Sequence, residues 1–313
     1  MCDISIILVN YKNKYLTEDC INSILNSNCK LSYEIIVIDN NSEDDSVQYL
    51  KNKFPKIKVK NSGRNGGFAY GNNKGVEISN GKYLMLLNND TTVYQNIFDE
   101  LVYLMENNPQ IGLLGCRSIN GDGIELPVSH SYENLKRLWL QTYIKPILEK
   151  LNIQRKLVSF VKKRDVDDSE VSFCDWIAGS AMLISKQLYK SLGGLDENFF
   201  MYMEDEDLCH RVNDAGYLVG VYNKVGYVHL CGGSTIQSVF LTEEYFKSRL
   251  LFFKRYDTNN FETIKKALYK QIRVVNKQLT KEQIRDMKCR LESYIKNELN
   301  STSSNIRSIY SNK

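Results

Sequence analysis

Apolar and polar positions fall in alternating blocks along the first third of the chain. Short β-branched runs at Ile4 to Val9, Glu34 to Ile38, Ile57 to Val59 and Tyr83 to Leu87 predict strands. Between and after them, Leu16 to Leu25, Ser46 to Phe54, Ala69 to Ser79 and Ile97 to Asn107 predict helices. The strands are continuously apolar, as strands buried on both faces must be, so the expected class is α/β: a mixed, mostly parallel sheet flanked by helices. Ligands in such folds bind beyond the carboxyl ends of the strands. The residues there are Asn10-Tyr11, Asp39-Asn40-Asn41-Ser42 and Asn88-Asn89-Asp90, all polar.

From Phe173 to about Thr235 the pattern reads as a helix-forming stretch, a Gly-rich turn, an acidic cluster and a last strand ending near His229. Beyond Val239 it turns helical and basic, with Ile264, Leu268, Ile272, Val275 and Leu279 at helical spacing. The Ser/Asn-rich end from Asn300 predicts a frayed tail. The expected organisation is a catalytic domain at 1–238, with halves 1–110 and 111–238 and a basic insertion at 130–170, then a helical extension at 239–313.

With 313 residues and 42% hydrophobic content the chain can bury a large core. A net charge of +4 is too mild to demand a nucleic acid, and none is expected as a partner. Charge is concentrated instead: between Asn134 and Arg164, Glu149 alone opposes Lys136, Arg137, Lys145, Lys150, Arg155, Lys156, Lys162, Lys163 and Arg164. The eight cysteines form no CxxC pair, which predicts reduced thiols, most of them small core residues. The opening MCDISIILVN lacks the basic start and apolar length of a secretory signal, and no run is long enough to span a bilayer. A cytoplasmic location follows as an expectation.

Several residues could carry chemistry. Asp90 ends the run KYLMLLNND, where a carboxylate faces the ligand crevice and suits a hard divalent cation. A diphosphate needs compensation, and a close unit charge pair at an effective dielectric of about 20 contributes ~4 kcal/mol, against ~0.3–2 kcal/mol from a helix terminus. Asp90 fits equally well as the N-cap of a helix starting near Thr91. Asp39 can accept hydrogen bonds from a base or ribose, or serve as an N-cap or close an Asx-turn within DNNS. The segment Gly63 to Gly75 offers backbone amides to phosphate oxygens, although a tight turn also explains its glycines. It matches neither GxGxxG nor the P-loop pattern.

The densest feature is FFMYMEDEDLCHR. Asp207 and Arg211, four apart, can pair along a helix face, which leaves Glu204 and Asp205 as candidates for a general base. An acidic helix start favoured by the helix dipole is the competing explanation. His229 could ligate a metal beside Asp90 or be an ordinary buried histidine. Trp176 offers a flat apolar face, with Gly179 permitting close backbone approach; core packing explains Trp176 equally well.

In order, IILVNYKN, EIIVIDNNSEDDS, NGGFAYGNNKG, LLNND, DWIAGSAMLIS, GGLDENFFMYMEDEDLCHR and HLCGGST resemble the blocks of glycosyltransferase family 2 from Ile4 to about Thr235. Its rhamnosyltransferase-like and galactofuranosyltransferase-like members are the most similar. The resemblance implies a GT-A fold, inversion at the anomeric carbon and a Mg2+ or Mn2+ ion. It implies that Asp39 recognises the base, that Asp90 is the last acid of the metal motif with His229 as second ligand, and that Asp205 is the catalytic base. Trp176, Gly179 and Glu204 would lie on the acceptor side. Asn10, Tyr11, Asn41, Asn65, Gly67, Asn72 and Asn89 complete the expected nucleotide-sugar site. One departure is that Asn88-Asn89-Asp90 keeps a single carboxylate.

The leading expectation is transfer from a dTDP- or UDP-sugar, rhamnose first, to a lipid-linked oligosaccharide. The stretch 134–164, with Leu138, Trp139, Leu140, Tyr143, Ile144 and Ile147, would meet the inner face of the cell membrane, or serve as a solvated insertion or a homodimer contact. A non-catalytic nucleotide-sugar-binding scaffold is the rival reading. A sugar-nucleotide pyrophosphorylase would need a basic glycine-rich signature near the amino terminus, which the chain lacks.

Overall fold

The computed structural model describes residues 2–150, 169–230 and 238–299. Its strands are β1 (Cys2–Asn10), β2 (Tyr33–Asp39), β3 (Lys58–Asn61), β4 (Gly81–Asn88), β5 (Thr91–Thr92), β6 (Ile111–Ile119), β7 (Glu125–Leu126), β8 (Ser129–His130), β9 (Val171–Phe173), β10 (Trp176–Ile177), β11 (Ala181–Ser185) and β12 (Leu218–His229). Its helices are α1 (Lys14–Leu25), α2 (Ser46–Lys53), α3 (Gly67–Glu77), α4 (Ile97–Asn107), α5 (Leu135–Trp139), α6 (Lys145–Lys150), α7 (Lys186–Ser191), α8 (Glu204–Asp214), α9 (Val239–Tyr256), α10 (Phe261–Val275) and α11 (Lys281–Tyr294). Two compact units result: Met1–Tyr132 with Asp167–Thr235, and Glu133–Val166 with Ile236–Lys313.

The first unit is built on a sheet of order β3-β2-β1-β4-β11-β6-β12-β5, with β7 beside β6 and β9 beside β12. Strands β3, β2, β1 and β4 run parallel, whereas β11 lies antiparallel between β4 and β6. Successive side chains of β1 go to opposite faces. Ile4, Ile6 and Leu8 join a core with Ile21, Leu50 and Leu101 from α1, α2 and α4, while Ile7 joins Ala69, Tyr189 and Leu208 from α3, α7 and α8. Register then does the functional work, because Asn10 pairs with Asp39 and Val9 with Asn88, so three polar strand tips end side by side.

Three local expectations are corrected. The stretch CDWIAGSAMLIS is not helical; it forms β10 and β11, and Met182, Leu183 and Ile184 are fully buried between β4 and β6. Burial on both faces of a sheet overrides a local helical preference. Ile111–Ile119, not anticipated as a strand, pairs with β11 and β12. Thr91 and Thr92 start no helix but pair with Val228 and His229, which removes the N-cap reading of Asp90.

In the second unit, Ile264, Leu268 and Ile272 of α10 are fully buried, Val275 is half-buried at the helix end, and Leu279 lies beyond it. A capping box between Thr280 and Gln283 starts α11. The described part of the basic stretch folds here, through the buried Arg249, which donates to Glu133 and, at 2.7 Å, to Gln271; Gln271 in turn donates to Thr142 at 2.7 Å. A buried guanidinium is tolerable only when its donors are matched in this way. Residues 151–168, which carry Arg155, Lys156, Lys162, Lys163 and Arg164, and the tail from Asn300 lie outside the described residues. Of the cysteines expected in the core, Cys20, Cys116 and Cys209 are buried; Cys2, Cys29 and Cys174 are half-buried and Cys289 is exposed. Among the described residues, no helix is long and apolar enough to cross a membrane.

Candidate active site

Asp39 is buried at the tip of β2, with both carboxylate oxygens engaged. Oδ1 accepts from Asn10 Nδ2 at 2.7 Å and Ser42 Oγ at 2.5 Å, and Oδ2 accepts from the Ser42 amide at 2.9 Å and Asn61 Nδ2 at 3.5 Å. The carboxylate thus folds back onto the residue three positions on, and in this state Asp39 shapes the loop from inside. The network continues, since Thr17 of α1 donates to Asn10 Oδ1 at 2.8 Å and accepts from Asn89 Nδ2 at 2.8 Å. Tyr11 is exposed beside it, and Asn41 is half-buried in a left-handed conformation at φ 57°.

Asp90 and His229 meet directly, His229 Nε2 lying 3.1 Å from Asp90 Oδ1 and 3.5 Å from Asn88 Nδ2. The pairing of β5 with β12 enforces this, reinforced by the Leu230 amide donating to the Asp90 carbonyl at 3.0 Å. Their side chains keep 11% and 15% exposure, enough to reach a ligand. Among the described residues no group of three or more His, Cys, Asp or Glu side chains gathers as a metal cage. One carboxylate and one imidazole still fit a Mg2+ or Mn2+ ion, which commonly takes few protein ligands and fills its shell with water and phosphate oxygens.

Asp205 sits on the first turn of α8. Its Oδ2 accepts from the Gly179 amide at 2.8 Å and its Oδ1 from the Glu206 amide at 2.9 Å. The next residue, Ser180, accepts the Asn88 amide on its carbonyl at 2.9 Å and pairs its hydroxyl with Tyr227 at 2.5 Å. The Gly179-Ser180 step thus joins Asp205 to the two strands that deliver Asp90 and His229. A Cβ at Gly179 would lie 3.3 Å from the Asp205 carboxylate, so the small residue permits the approach. Tyr202 and Met203, just before α8, both adopt φ 70°. Two consecutive non-glycine residues in that region mark stored strain at the entry to the acidic turn.

Glu204 is 6% exposed and its Oε2 has no hydrogen-bond partner. Burial, and then the Asp205 charge, push its carboxyl well above the usual range, and burial also raises Asp205. Asp205 keeps partial exposure and two amide donors, so it ionises first and Glu204 holds its proton. Asp207 is fully buried and pairs with Arg211 at 2.7 Å, which makes it structural. A carboxyl raised in the folded state binds its proton more tightly than in the unfolded chain. Stability is therefore lost as pH rises above the unfolded Glu value of about 4.3 toward the folded one. Glu204→Gln lacks this titration, and its thermal midpoint minus that of the wild type should grow between mildly acid and neutral pH. A pH-independent difference would remove the proton from Glu204.

The glycine segment is tied down where α3 begins. Asn40 Nδ2 donates to the Gly67 carbonyl at 2.7 Å, and the Phe68 amide donates to the Phe200 carbonyl at 2.9 Å. The exposed Asn65 accepts the Gly67 amide at 3.2 Å, and the buried Asn72 donates to the Phe68 carbonyl at 3.0 Å, so both side chains hold the α3 start. Gly67 has φ +82°, and a Cβ there would fall 1.8 Å from the Phe200 oxygen. Gly67→Ala should cost roughly 2–4 kcal/mol, read as a lowered thermal midpoint. An unchanged midpoint would show that Phe200 does not pin this turn.

Trp176 stacks on His130, ring centroids 4.2 Å apart, and Tyr132 stacks on His210 at 3.6 Å. Burial holds the His210 imidazole below its usual range. His130, Tyr132 and His210, together with Thr17 and Tyr227, were not flagged from the sequence. Isolated polar residues with no motif carry no one-dimensional signal; only the low histidine count, three in all, hinted at His130 and His210.

Solved structures show the same fold. Sequence identity is low but overlap is broad: GalNAc-T7 with UDP, GalNAc and Mn2+ gives a TM-score of 0.56 at 14% identity over 87% of this chain and 56% of that one. TarS 1-349 of S. aureus gives 0.53 at 12% identity over 86% and 70%. The architecture is a GT-A glycosyltransferase fold. The signature of Glycosyl transferase family 2 matches residues 5–164, and the chain belongs to that family. Relatives include the low-salt glycan biosynthesis hexosyltransferase Agl10 of Haloferax volcanii, 29% identical over 72% of this chain and 67% of its own length. The N-acetylglucosaminyl-diphospho-decaprenol L-rhamnosyltransferase of Mycobacterium tuberculosis is 24% identical over 59% of this chain and 62% of its own length. Rhamnosyltransferase WbbL of Escherichia coli K12 is 33% identical over 30% and 38%. The chain thus spans about two thirds or less of these relatives.

Proposed function

We propose that this glycosyltransferase is an inverting, divalent-metal-dependent enzyme that moves a hexosyl group, rhamnose first, from a dTDP- or UDP-sugar to a hydroxyl of a lipid-linked glycan. The observation that carries the reading is the Asp90–His229 pair, linked through Gly179-Ser180 to the carboxylate of Asp205. The relatives named for rhamnosyl and hexosyl transfer support the donor class, and the decaprenol-linked substrate in one of their names supports the acceptor.

In this reading Asp205 accepts the proton of the acceptor hydroxyl as its oxygen bonds to the anomeric carbon, while the bond from that carbon to the diphosphate oxygen breaks and the diphosphate leaves with the electron pair. Two amide donors keep Asp205 oriented, and attack from the face opposite the leaving group inverts the centre. Asp90 and His229 would hold Mg2+ or Mn2+, which would supply charge compensation to the departing diphosphate. Tyr11, Asn41 and Asn89 lie at the strand tips to receive the nucleotide, with Asn10 and Asp39 fixing their loop. Trp176 gives the acceptor an aromatic face, and Gly179 and Glu204 flank the base.

The test is donor hydrolysis and transfer across dTDP-rhamnose, UDP-galactofuranose, UDP-glucose and UDP-N-acetylglucosamine, with Mn2+ and with EDTA, in the presence of a polyprenyl-diphosphate-linked acceptor. Metal-dependent transfer from one donor supports the proposal. The single carboxylate of Asn88-Asn89-Asp90 favours the scaffold reading as the second choice; tight, metal-independent donor binding without turnover across the panel would select it.

A further inference from the structure

The helical run from Leu135 to Lys150 has two unlike sides. Inward, Leu138 is fully buried and Thr142 is 4% exposed. Outward, Trp139, Leu140 and Ile147 stay 47%, 44% and 56% exposed, and Lys136, Arg137 and Lys145 are exposed among them. Lys136 and Leu140, two residues to either side of Leu138 and four apart, lie opposite it, and a π-helical turn then runs over Leu140–Ile144. Trp139 leans on the Tyr143 ring with centroids 5.8 Å apart, and Lys270 Nζ lies 4.1 Å from the centroid of that ring.

We propose that this outward face docks on an anionic lipid bilayer, the apolar side chains entering the headgroup boundary and the cations meeting lipid phosphates. Three large apolar side chains held in water are unfavourable unless something covers them, and Lys and Arg stems can lie along the boundary with their heads in the polar layer. Charge selects the occupant. A second copy joined through the same patch across a two-fold axis would oppose Lys136 and Lys145 to their own duplicates, which repel, whereas an anionic surface attracts them. The proposal needs no donor or transfer chemistry, so its failure leaves the enzymatic reading standing.

The full chain is sedimented with sucrose-loaded vesicles of equal parts phosphatidylglycerol and phosphatidylcholine, and with pure phosphatidylcholine. Binding to the anionic vesicles alone, weakened by salt, is expected. Lys136→Ser and Lys145→Ser should each lower the partition coefficient roughly fivefold. Trp139→Ser with Ile147→Ser should lower it more, while circular dichroism matches the wild type. As a readout that needs no variant, brominated lipid should quench the wild-type tryptophan fluorescence. Equal partition of wild type and variants, equal binding to neutral vesicles, absence of quenching, or a dimer dissolved by the same substitutions would each overturn the proposal.

Discussion

Asp205→Asn is expected to lower the transfer rate roughly 10²–10⁴-fold, the usual contribution of a positioned base, while donor affinity stays within about threefold. The substitution keeps the size of the side chain and one acceptor oxygen for the amides of Gly179 and Glu206, now 2.8 and 2.9 Å away. What disappears is the negative charge able to take the acceptor proton. The neighbouring Glu204→Gln provides the contrast. Because burial and the Asp205 charge hold Glu204 protonated, a neutral amide there resembles the working form, and turnover should remain within roughly threefold of wild type. The wild-type acid limb of kcat/KM should also sit above the ordinary Asp range, since Asp205 is raised, and only above that limb is the base ionised. Single-turnover transfer with both variants decides the matter. If Asp205→Asn turns over at the wild-type rate, or if Glu204→Gln is the one that dies, the base has been assigned to the wrong carboxyl.

Asp90→Ala should remove most of the metal-dependent part of donor binding, on the order of 10²–10³-fold, because it deletes the one carboxylate at the strand tip and a close charge pair contributes ~4 kcal/mol. The variant and wild type should then bind donor alike in EDTA. That second arm matters, since a mere fold defect would depress binding under both conditions. His229→Ala should act in the same direction with a smaller effect, as a neutral ligand contributes no charge. Titration calorimetry with dTDP and UDP, with and without Mn2+, reads all three proteins. An Asp90→Ala protein with an undiminished Mn2+ response would place the ion elsewhere, and the Asp90–His229 contact at 3.1 Å would then be only a structural hydrogen bond.

Much of the first half was legible because burial on both sheet faces writes itself as uninterrupted apolar runs, and Ile4 to Val9 or Tyr83 to Leu87 have no other good explanation. The second half was less so. Met182 to Ile184 gain their strand character from β4 and β6, residues far away in the chain, and nothing local distinguishes them from a short helix. Asp39 shows the converse: its position at a strand tip was evident, yet two of its four hydrogen bonds depend on Asn10 and Asn61 arriving from other strands.

The sequence by itself determined the α/β class, the location of polar groups beyond the strands and the identity of Asp90, Asp205 and His229 as candidates, because periodicity and motif order are properties of neighbours along a chain. Tertiary structure alone decided that Asp90 touches His229, that Gly179 holds Asp205, that Asp39 is turned inward onto Asn10 and that Trp139 is left facing water while Leu138 is not. Each of those facts is a contact or an exposure created by segments tens of residues apart. Such distances are fixed by register and packing, and no local pattern encodes them.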